Sequence, residues 1–171
     1  MQIPILEIKF DTSLNDLIKV ELCKFLKNEG NLNYVHIGIC DIRVRTDFDD
    51  EQLDKMSKKP YARAHISKYN DRYTAFIYLS SYLITSKHFL IPVLWHELSH
   101  VKCHHTDESR DNLKNHTIEF EADKYACENT PKEQVLAWLK EMDILEPDNQ
   151  DSNSHPSWKS RIDAVQNLSL G

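Results

Sequence analysis

The chain has 171 residues, with 27 acidic and 21 basic side chains and a formal net charge of −6 at pH 7. This length predicts a single domain over residues 1–171, and the hydrophobic fraction of 40% is sufficient for a folded core. The acidic balance without a basic run argues against nucleic-acid binding, and three glycines are too few for a glycine-rich phosphate loop.

Nothing in the sequence predicts a membrane-bound or secreted location. The longest apolar run, residues 89–95, has seven residues, whereas a membrane-spanning helix needs about 20. No basic start followed by an apolar stretch marks a signal peptide. The four cysteines are widely spaced, without a Cys-x-x-Cys pair, which predicts free and mostly buried thiols. We therefore expect a cytoplasmic protein; the sequence does not indicate its oligomeric state.

The N-terminal half is predicted to form a small mixed sheet with helices. Alternating and β-branched residues predict strands at residues 3–10, 34–44, 61–67 and 72–79. Apolar residues at helical spacing predict a helix from Thr12, or the next residue, to near Gly30. The polar segment 46–59 predicts a loop or a short helix. Asn70-Asp71 separates the last two strands and predicts a hairpin turn between them.

The C-terminal half is predicted to be helical, which completes an α+β fold. Apolar residues at helical spacing predict helices at about residues 86–105, 109–127, 131–142 and from Pro156 onward. Thr130 and Glu133 form a capping box for the third of these helices, with Pro131 at its first position. A polar loop over residues 146–154 precedes the last helix. No repeat or long linker divides the chain.

The helical half contains the motif His96-Glu97-Leu98-Ser99-His100. Residues four apart project from one face of a helix, so the two imidazoles can bind one metal ion. Glu97 lies about 100° around the helix from His96, near enough to reach a water on that metal. This arrangement is typical of a zinc site with a glutamate as general base. The motif therefore predicts one Zn²⁺ ion per chain.

A catalytic zinc ion takes three protein ligands and leaves one position open. Glu119 and Asp123 lie four residues apart on the next predicted helix and share a face. Glu119 can be the third ligand while Asp123 accepts the hydrogen bond of a ligating histidine. The alternatives are an acidic helix without a ligand, or His104 or His105 as the third ligand. His105 would require the helix to stop abruptly after His100, where no glycine is available to turn it.

Together these residues resemble the gluzincin metallopeptidases. The closest similarity is to the family of the HtpX heat-shock protease and the CAAX prenyl endopeptidase, over residues 73–165. Besides the histidine motif and Glu119 with Asp123, it rests on two segments. Residues 77–83 resemble that family's edge strand, and residues 155–162 (HPSWKSRI) resemble its His-Pro…Arg-Ile segment.

Two features of the chain differ from that family. Its members are often embedded in membranes, and the interval of 18 residues between His100 and Glu119 is short for them. Small soluble chains with short intervals are more similar to the ImmA/IrrE peptidases and the Lit-type phage-exclusion peptidases, whose Glu-x-Glu-Ala-Asp/Asn stretch resembles residues 119–123. These resemblances imply a protein or peptide substrate, in the latter families one or a few regulatory or host proteins.

The resemblance also implies roles for single residues. By position, the two motif histidines and Glu119 bind zinc and Glu97 is the base. His155 stabilises the oxyanion, and Arg161 braces the site from behind. The alternatives are a helix-capping role for His155 and a solvated helix charge for Arg161. Tyr82 is a second candidate for the oxyanion donor.

The predicted activity is that of a soluble metalloendopeptidase, which hydrolyses peptide bonds with a zinc-activated water and Glu97 as base. Strand 72–79 either pairs with an extended substrate at its edge or is an ordinary strand of a hairpin. The alternative function is a non-catalytic, zinc-stabilised interaction module, against which Glu97 argues because a structural site needs no base. A zinc deformylase is a third option, but Cys40 is not in the expected setting for its cysteine ligand.

Overall fold

The computed structural model describes residues 7–8, 12–28, 35–41, 58–69, 72–103, 105, 115–152 and 155–169. Within these residues it confirms the α+β class. The helices are α1 (Thr12–Asn28), α2 (Ser81–Ser86), α3 (Leu90–Lys102), α4 (Asn115–Asn129), α5 (Lys132–Leu145) and α6 (Trp158–Gln166). The strands are β1 (Glu7–Ile8), β2 (Val35–Asp41), β3 (Ala62–Tyr69) and β4 (Arg72–Leu79). Most of the predicted strand 3–10 and of the predicted segment 46–59 lies outside the described residues.

The strands form one mixed sheet in the order β1-β2-β4-β3. β1 and β4 both run parallel to β2, and β3 runs antiparallel to β4. The β3–β4 pair confirms that the two predicted strands are antiparallel neighbours, and the predicted turn at Asn70-Asp71 lies outside the described residues. In this order β4 lies inside the sheet and β3 is an edge among the described strands, so the prediction that residues 72–79 offer an edge to a substrate is wrong. Among the described strands, the edge strand that contacts the helices is β3.

One face of the hairpin packs against the helices. The buried cross-strand partners on that face are Ala62 with Leu79, Ala64 with Ile77, and Ile66 with Ala75. Their burial follows from the alternation of side chains along a strand, which places every second residue on the same face. α3 lies against β3 and also contacts α4 and α5. Eleven of its 13 residues are buried, so α3 is the central helix of the molecule.

The helix predicted at 86–105 is shorter in the structure, where it is α3, and a separate short helix, α2, precedes it. α2 begins after Ser80, whose hydroxyl accepts a hydrogen bond from the backbone N–H of Leu83, and ends at Lys87 in a left-handed conformation with φ of 56°. α3 then starts at Leu90 and ends at Lys102. The family resemblance of residues 77–83 to an edge strand is therefore wrong as well, because the strand ends at Leu79 and helix follows.

Two smaller expectations also change, and a third cannot be compared. α4 is described from Asn115 to Asn129, and its predicted start near residue 109 lies outside the described residues. Thr130 does not cap α5, since its hydroxyl donates to the carbonyl of Ala126 at the end of α4. Cys23 and Cys103 are exposed and Cys127 is buried, so the described thiols are not mostly buried. No helix in the described ranges is long and apolar enough to cross a membrane.

Candidate metal centre

Two histidines of the central helix α3 form one side of the candidate metal site. His96 and His100 lie one turn apart on α3, and both side chains are buried. Their Nε2 atoms are 3.3 Å apart, and their rings meet edge to face. The helical spacing that predicted a common face therefore also brings the two ligand atoms to a common point.

The third candidate ligand comes from the neighbouring helix. Glu119 lies in the first turns of α4 and is buried against α3. Its Oε2 is 3.3 Å from His96 Nε2, and its Oε1 is 3.7 Å from His100 Nε2. One ligand atom from each of these three residues lies within 4.8 Å of the others, so together they can hold a metal ion.

The donor set fits a divalent ion of the zinc type. Two ligands at about 2.0–2.1 Å from a tetrahedral centre are about 3.3 Å apart, which equals the His96–His100 and His96–Glu119 separations. The carboxylates buried here, with the guanidinium of Arg161, carry a formal charge of −2, which a divalent ion balances. Those carboxylates belong to Glu97, Glu119 and Asp123.

His96 is oriented by Asp123, one turn after Glu119 on α4. The Nδ1 atom of His96 lies 2.9 Å from Asp123 Oδ1, on the side of the ring opposite the metal cluster. When Nε2 binds a metal, Nδ1 carries the ring proton and donates it to this carboxylate. The position of Asp123 thus agrees with the expectation that it holds a ligating histidine.

Arg161 is buried beneath the site rather than solvated, so the alternative of a surface charge is wrong. Its Nε and Nη2 atoms donate to the two carboxylate oxygens of Asp123 at 2.8 and 2.6 Å, and its Nη1 lies 3.5 Å from Glu119 Oε2. The guanidinium carbon is 5.2 Å from the ring centroid of Trp138 and 4.8 Å from that of Trp158. The two rings remove this cation from water while Asp123 neutralises it.

The pKa values of the buried groups follow from these contacts. Burial by itself lowers the pKa of His96, but its hydrogen bonds to Asp123 and Glu119 outweigh burial and raise this pKa to about 9. Burial by itself raises the pKa of Glu119, and the hydrogen bond to His96 and the nearby positive charges bring it well below its usual value. Arg161 likewise outweighs burial at Asp123 and lowers the pKa of that carboxyl.

Glu97, the candidate base, is buried next to His96 and contacts the edge strand. Its Oε2 accepts a hydrogen bond of 2.5 Å from the backbone N–H of Ala64 in β3. Tyr61, three positions earlier, bonds Ser80 across the hairpin. Because backbone N–H groups alternate in direction along a strand, that of Ala64 faces away from β4. The hydrogen-bonding edge of β3 therefore runs beside the carboxylate of Glu97.

His155 lies at the open side of the site. Its side chain is 62% exposed, and its Nε2 is 4.0 Å from Glu119 Oε1. Its backbone is held by Ser152, whose hydroxyl accepts a hydrogen bond from the N–H of His155 at 3.0 Å. His116 of α4 bonds the carbonyl of Ser152 at 2.6 Å. The N-cap of α6 is Ser157, so the alternative of a capping role for His155 is wrong.

The remaining candidate residues from the sequence are Tyr82, His104 and His105. Tyr82 bonds Glu141 at 3.5 Å, and no described contact joins it to the metal cluster. His104 lies outside the described residues. His105 does not belong to the metal cluster, but its Nδ1 lies 3.0 Å from His100 Nδ1. Sequence pattern could not predict this contact, because α3 ends without the glycine expected for a turn that returns the chain to His100.

No protein-family model matches this chain, and no curated protein shows significant similarity to it.

Proposed function

We propose that this protein is a zinc-dependent metalloendopeptidase of the gluzincin kind, with His96, His100 and Glu119 as zinc ligands and Glu97 as general base. The observation that carries the proposal is the buried cluster whose ligand atoms have the separations of a tetrahedral zinc site. The cluster leaves one position for a water, and the carboxylate next to it in the sequence is also buried. A structural zinc site has four protein ligands and no neighbouring base.

A zinc ion at this site would lower the pKa of a water to about 7 and polarise the carbonyl of the peptide bond to be cleaved. Glu97 takes the proton of that water as the new C–O bond forms. It then passes the proton to the leaving nitrogen as the C–N bond breaks, so one carboxylate serves both halves of the hydrolysis. Its burial keeps this proton exchange away from bulk solvent.

The edge of β3 is well placed to hold the substrate. An extended peptide that pairs with β3 runs past Ala64, whose N–H contacts Glu97. Main-chain pairing is independent of the substrate's side chains, and it requires an extended segment of the substrate. This supports a protein substrate cleaved in an unfolded or exposed loop region.

The position of His155 supports a role as hydrogen-bond donor to the oxyanion. The carbonyl oxygen becomes negatively charged during attack, and a donor on the open side of the cluster stabilises it. His155 Nε2 lies on that side, 4.0 Å from a ligand oxygen of Glu119. Its exposure leaves the ring able to rotate toward a substrate, while the hydrogen bond to Ser152 holds its backbone.

A second candidate function has one observation in its favour. The carboxylate of Glu97 already makes a buried hydrogen bond to Ala64, as a residue that merely joins α3 to the sheet would do. In that case the metal would stabilise the fold, and the surface would bind a partner protein without cleaving it.

The test measures metal content and cleavage together. Purified wild-type protein is expected to contain about one zinc per chain and to cleave members of a library of unstructured peptides, read by mass spectrometry. Glu97→Gln should keep the zinc and lose at least about 100-fold in cleavage rate. Glu119→Gln should lose the zinc. Glu121→Gln is the matched control, since Glu121 is an exposed glutamate on the same helix, and it should change neither.

The outcomes separate the two functions. Zinc binding with no cleavage in either wild type or Glu97→Gln would support the interaction module. Absence of zinc after reconstitution of the wild type would overturn both functions.

A further inference from the structure

The two histidine ligands are held by different partners. His96 donates through Nδ1 to Asp123, a carboxylate that Arg161 also binds. At His100, the atom that lies 3.0 Å from Nδ1 is Nδ1 of His105. A ligating histidine usually donates its second N–H to a carboxylate, a carbonyl or a water. Here the imidazole of His105 takes that place, as an uncharged hydrogen-bond acceptor.

The end of α3 places His105 beneath His100. The backbone N–H of His105 donates to the carbonyl of His100 at 3.0 Å, and the N–H of Cys103 donates to Ser99 at 2.9 Å. These bonds turn the chain back over the last turn of the helix and bury the His105 ring. The ring centroids of His100 and His105 are then 5.3 Å apart. The contact is thus built by backbone hydrogen bonds and by burial.

We propose that His105 is a positioning residue for the metal site: its Nδ1 accepts the Nδ1–H of His100 and holds that imidazole with Nε2 toward the metal. This inference rests on the metal site of the proposed function but does not require that the protein cleaves peptides.

Hydrogen-bond chemistry limits the pair to two arrangements. If His105 carries the shared proton, the neutral His100 has its own proton on Nε2, which then cannot bind a metal. If His100 carries it, Nε2 offers a lone pair to the cluster, 3.3 Å from His96 Nε2. Only the second arrangement is compatible with a ligand role for His100. His105 in turn must keep its own proton on Nε2.

Charge balance explains why a neutral acceptor is suited to this position. The buried carboxylates and Arg161 already sum to −2 around the cluster, which one divalent ion neutralises. A second carboxylate under His100 would leave an uncompensated negative charge in a buried region. The imidazole of His105 orients its neighbour without adding charge.

The test compares two substitutions of similar size. In His105→Asn the side-chain oxygen takes the place of Nδ1 and can still accept, whereas His105→Leu keeps apolar volume without an acceptor. The zinc dissociation constant, measured by competition with a chelator, should rise roughly 10–100-fold in the Leu variant and stay within roughly threefold of wild type in the Asn variant. Equal weakening in both variants would show that the ring only fills space, and would overturn the proposal.

A second readout is independent of folding defects in the variants. In zinc-loaded wild-type protein labelled with ¹⁵N, a hydrogen bond between the two Nδ1 atoms gives a ¹⁵N–¹⁵N coupling across the bond and a slowly exchanging His100 Nδ1–H. Absence of both signals would contradict the proposal. If these signals are present and the wild type cleaves no peptide, the peptidase proposal fails while the role of His105 stands.

Discussion

Arg161 and Asp123 form a two-point ion pair beneath the candidate metal site, with nitrogen-to-oxygen distances of 2.8 and 2.6 Å. The same Asp123 carboxylate also binds the ring of His96. Because α6 contributes the arginine and α4 the aspartate, this pair ties the C-terminal helix to the helix that carries Glu119. The geometry of the site therefore depends on a residue 65 positions away from His96 in the chain.

Arg161→Leu is expected to destabilise the fold by about 3–5 kcal/mol, because it leaves the buried Asp123 carboxylate without its cation. Arg161→Lys should lower the free energy of unfolding by less than Arg161→Leu, although an ammonium group cannot reproduce both hydrogen bonds of the guanidinium group. Urea unfolding of the metal-free protein measures both values.

Lys159→Leu is the control for that experiment, since Lys159 is exposed on the same helix. Its unfolding free energy should stay within about 0.5 kcal/mol of wild type. An Arg161→Leu protein as stable as this control would show that the buried ion pair does not support the fold.

Zinc affinity is expected to rise with pH up to about 9. The pKa of His96 in the metal-free protein is raised to about 9, so zinc must displace a proton at lower pH. Between pH 6.5 and 8.5 the dissociation constant should fall by up to about tenfold per pH unit from this group. Isothermal titration calorimetry in buffers of different ionisation enthalpy counts the released proton. A dissociation constant that is flat over this range would contradict the assignment.

The same pKa predicts an opposite trend in the stability of the metal-free protein. A histidine whose pKa is raised on folding stabilises the fold fully below its unfolded value of 6.5, and this contribution is lost as pH rises through about 9. The free energy of unfolding should therefore decrease between pH 6.5 and 9 in metal-free protein. Urea unfolding at pH 6.5, 7.5 and 8.5 measures the trend, which zinc should suppress because the bound form of His96 is neutral.

His155→Ala is expected to lower kcat by roughly 10²–10³-fold, as the loss of one oxyanion donor does, with zinc content unchanged. Its side chain is 62% exposed, so the unfolding free energy should change little. His88→Ala is a matched control, because His88 is an exposed histidine before α3. Equal kcat values for the two variants would remove His155 from the mechanism.

Trp95→Phe tests how α1 is joined to the central helix. The indole Nε1–H of Trp95 donates to Glu21 Oε2 at 2.8 Å, and both side chains are buried. Phenylalanine keeps most of the ring but leaves the glutamate oxygen without this donor, which should cost about 1–3 kcal/mol. Adding Glu21→Leu should recover part of the loss, because the buried acceptor is then gone. No loss in the single variant would show that water replaces the indole.

Local pattern was sufficient for the α+β class and for most elements. Alternation predicted the β3–β4 hairpin, and helical spacing predicted α1 and the common face of His96 and His100. Both signals depend only on residues a few positions apart, and burial of one face then selects the structure. The spacing of Glu119 and Asp123 likewise indicated two side chains on one face, one toward the metal cluster and one toward His96.

Other features follow from contacts between distant segments. The place of β4 inside the sheet depends on its pairing with β2, which lies more than 30 residues earlier, so the edge strand beside Glu97 could not be identified from the hairpin. The break at Lys87 and the turn that returns His105 to His100 both occur without glycine. The packing of the whole core offsets the free-energy cost of such breaks, and local propensities do not include this contribution.

Helical spacing was enough to predict the candidate ligands and the base, because it brings His96 and His100 to one face of a helix. Their surroundings follow from tertiary contacts: Arg161 under Asp123, His105 under His100 and the edge of β3 beside Glu97. A ligand set needs only one helix and its neighbour, whereas orientation, charge balance and substrate access require segments from the whole chain to meet in space.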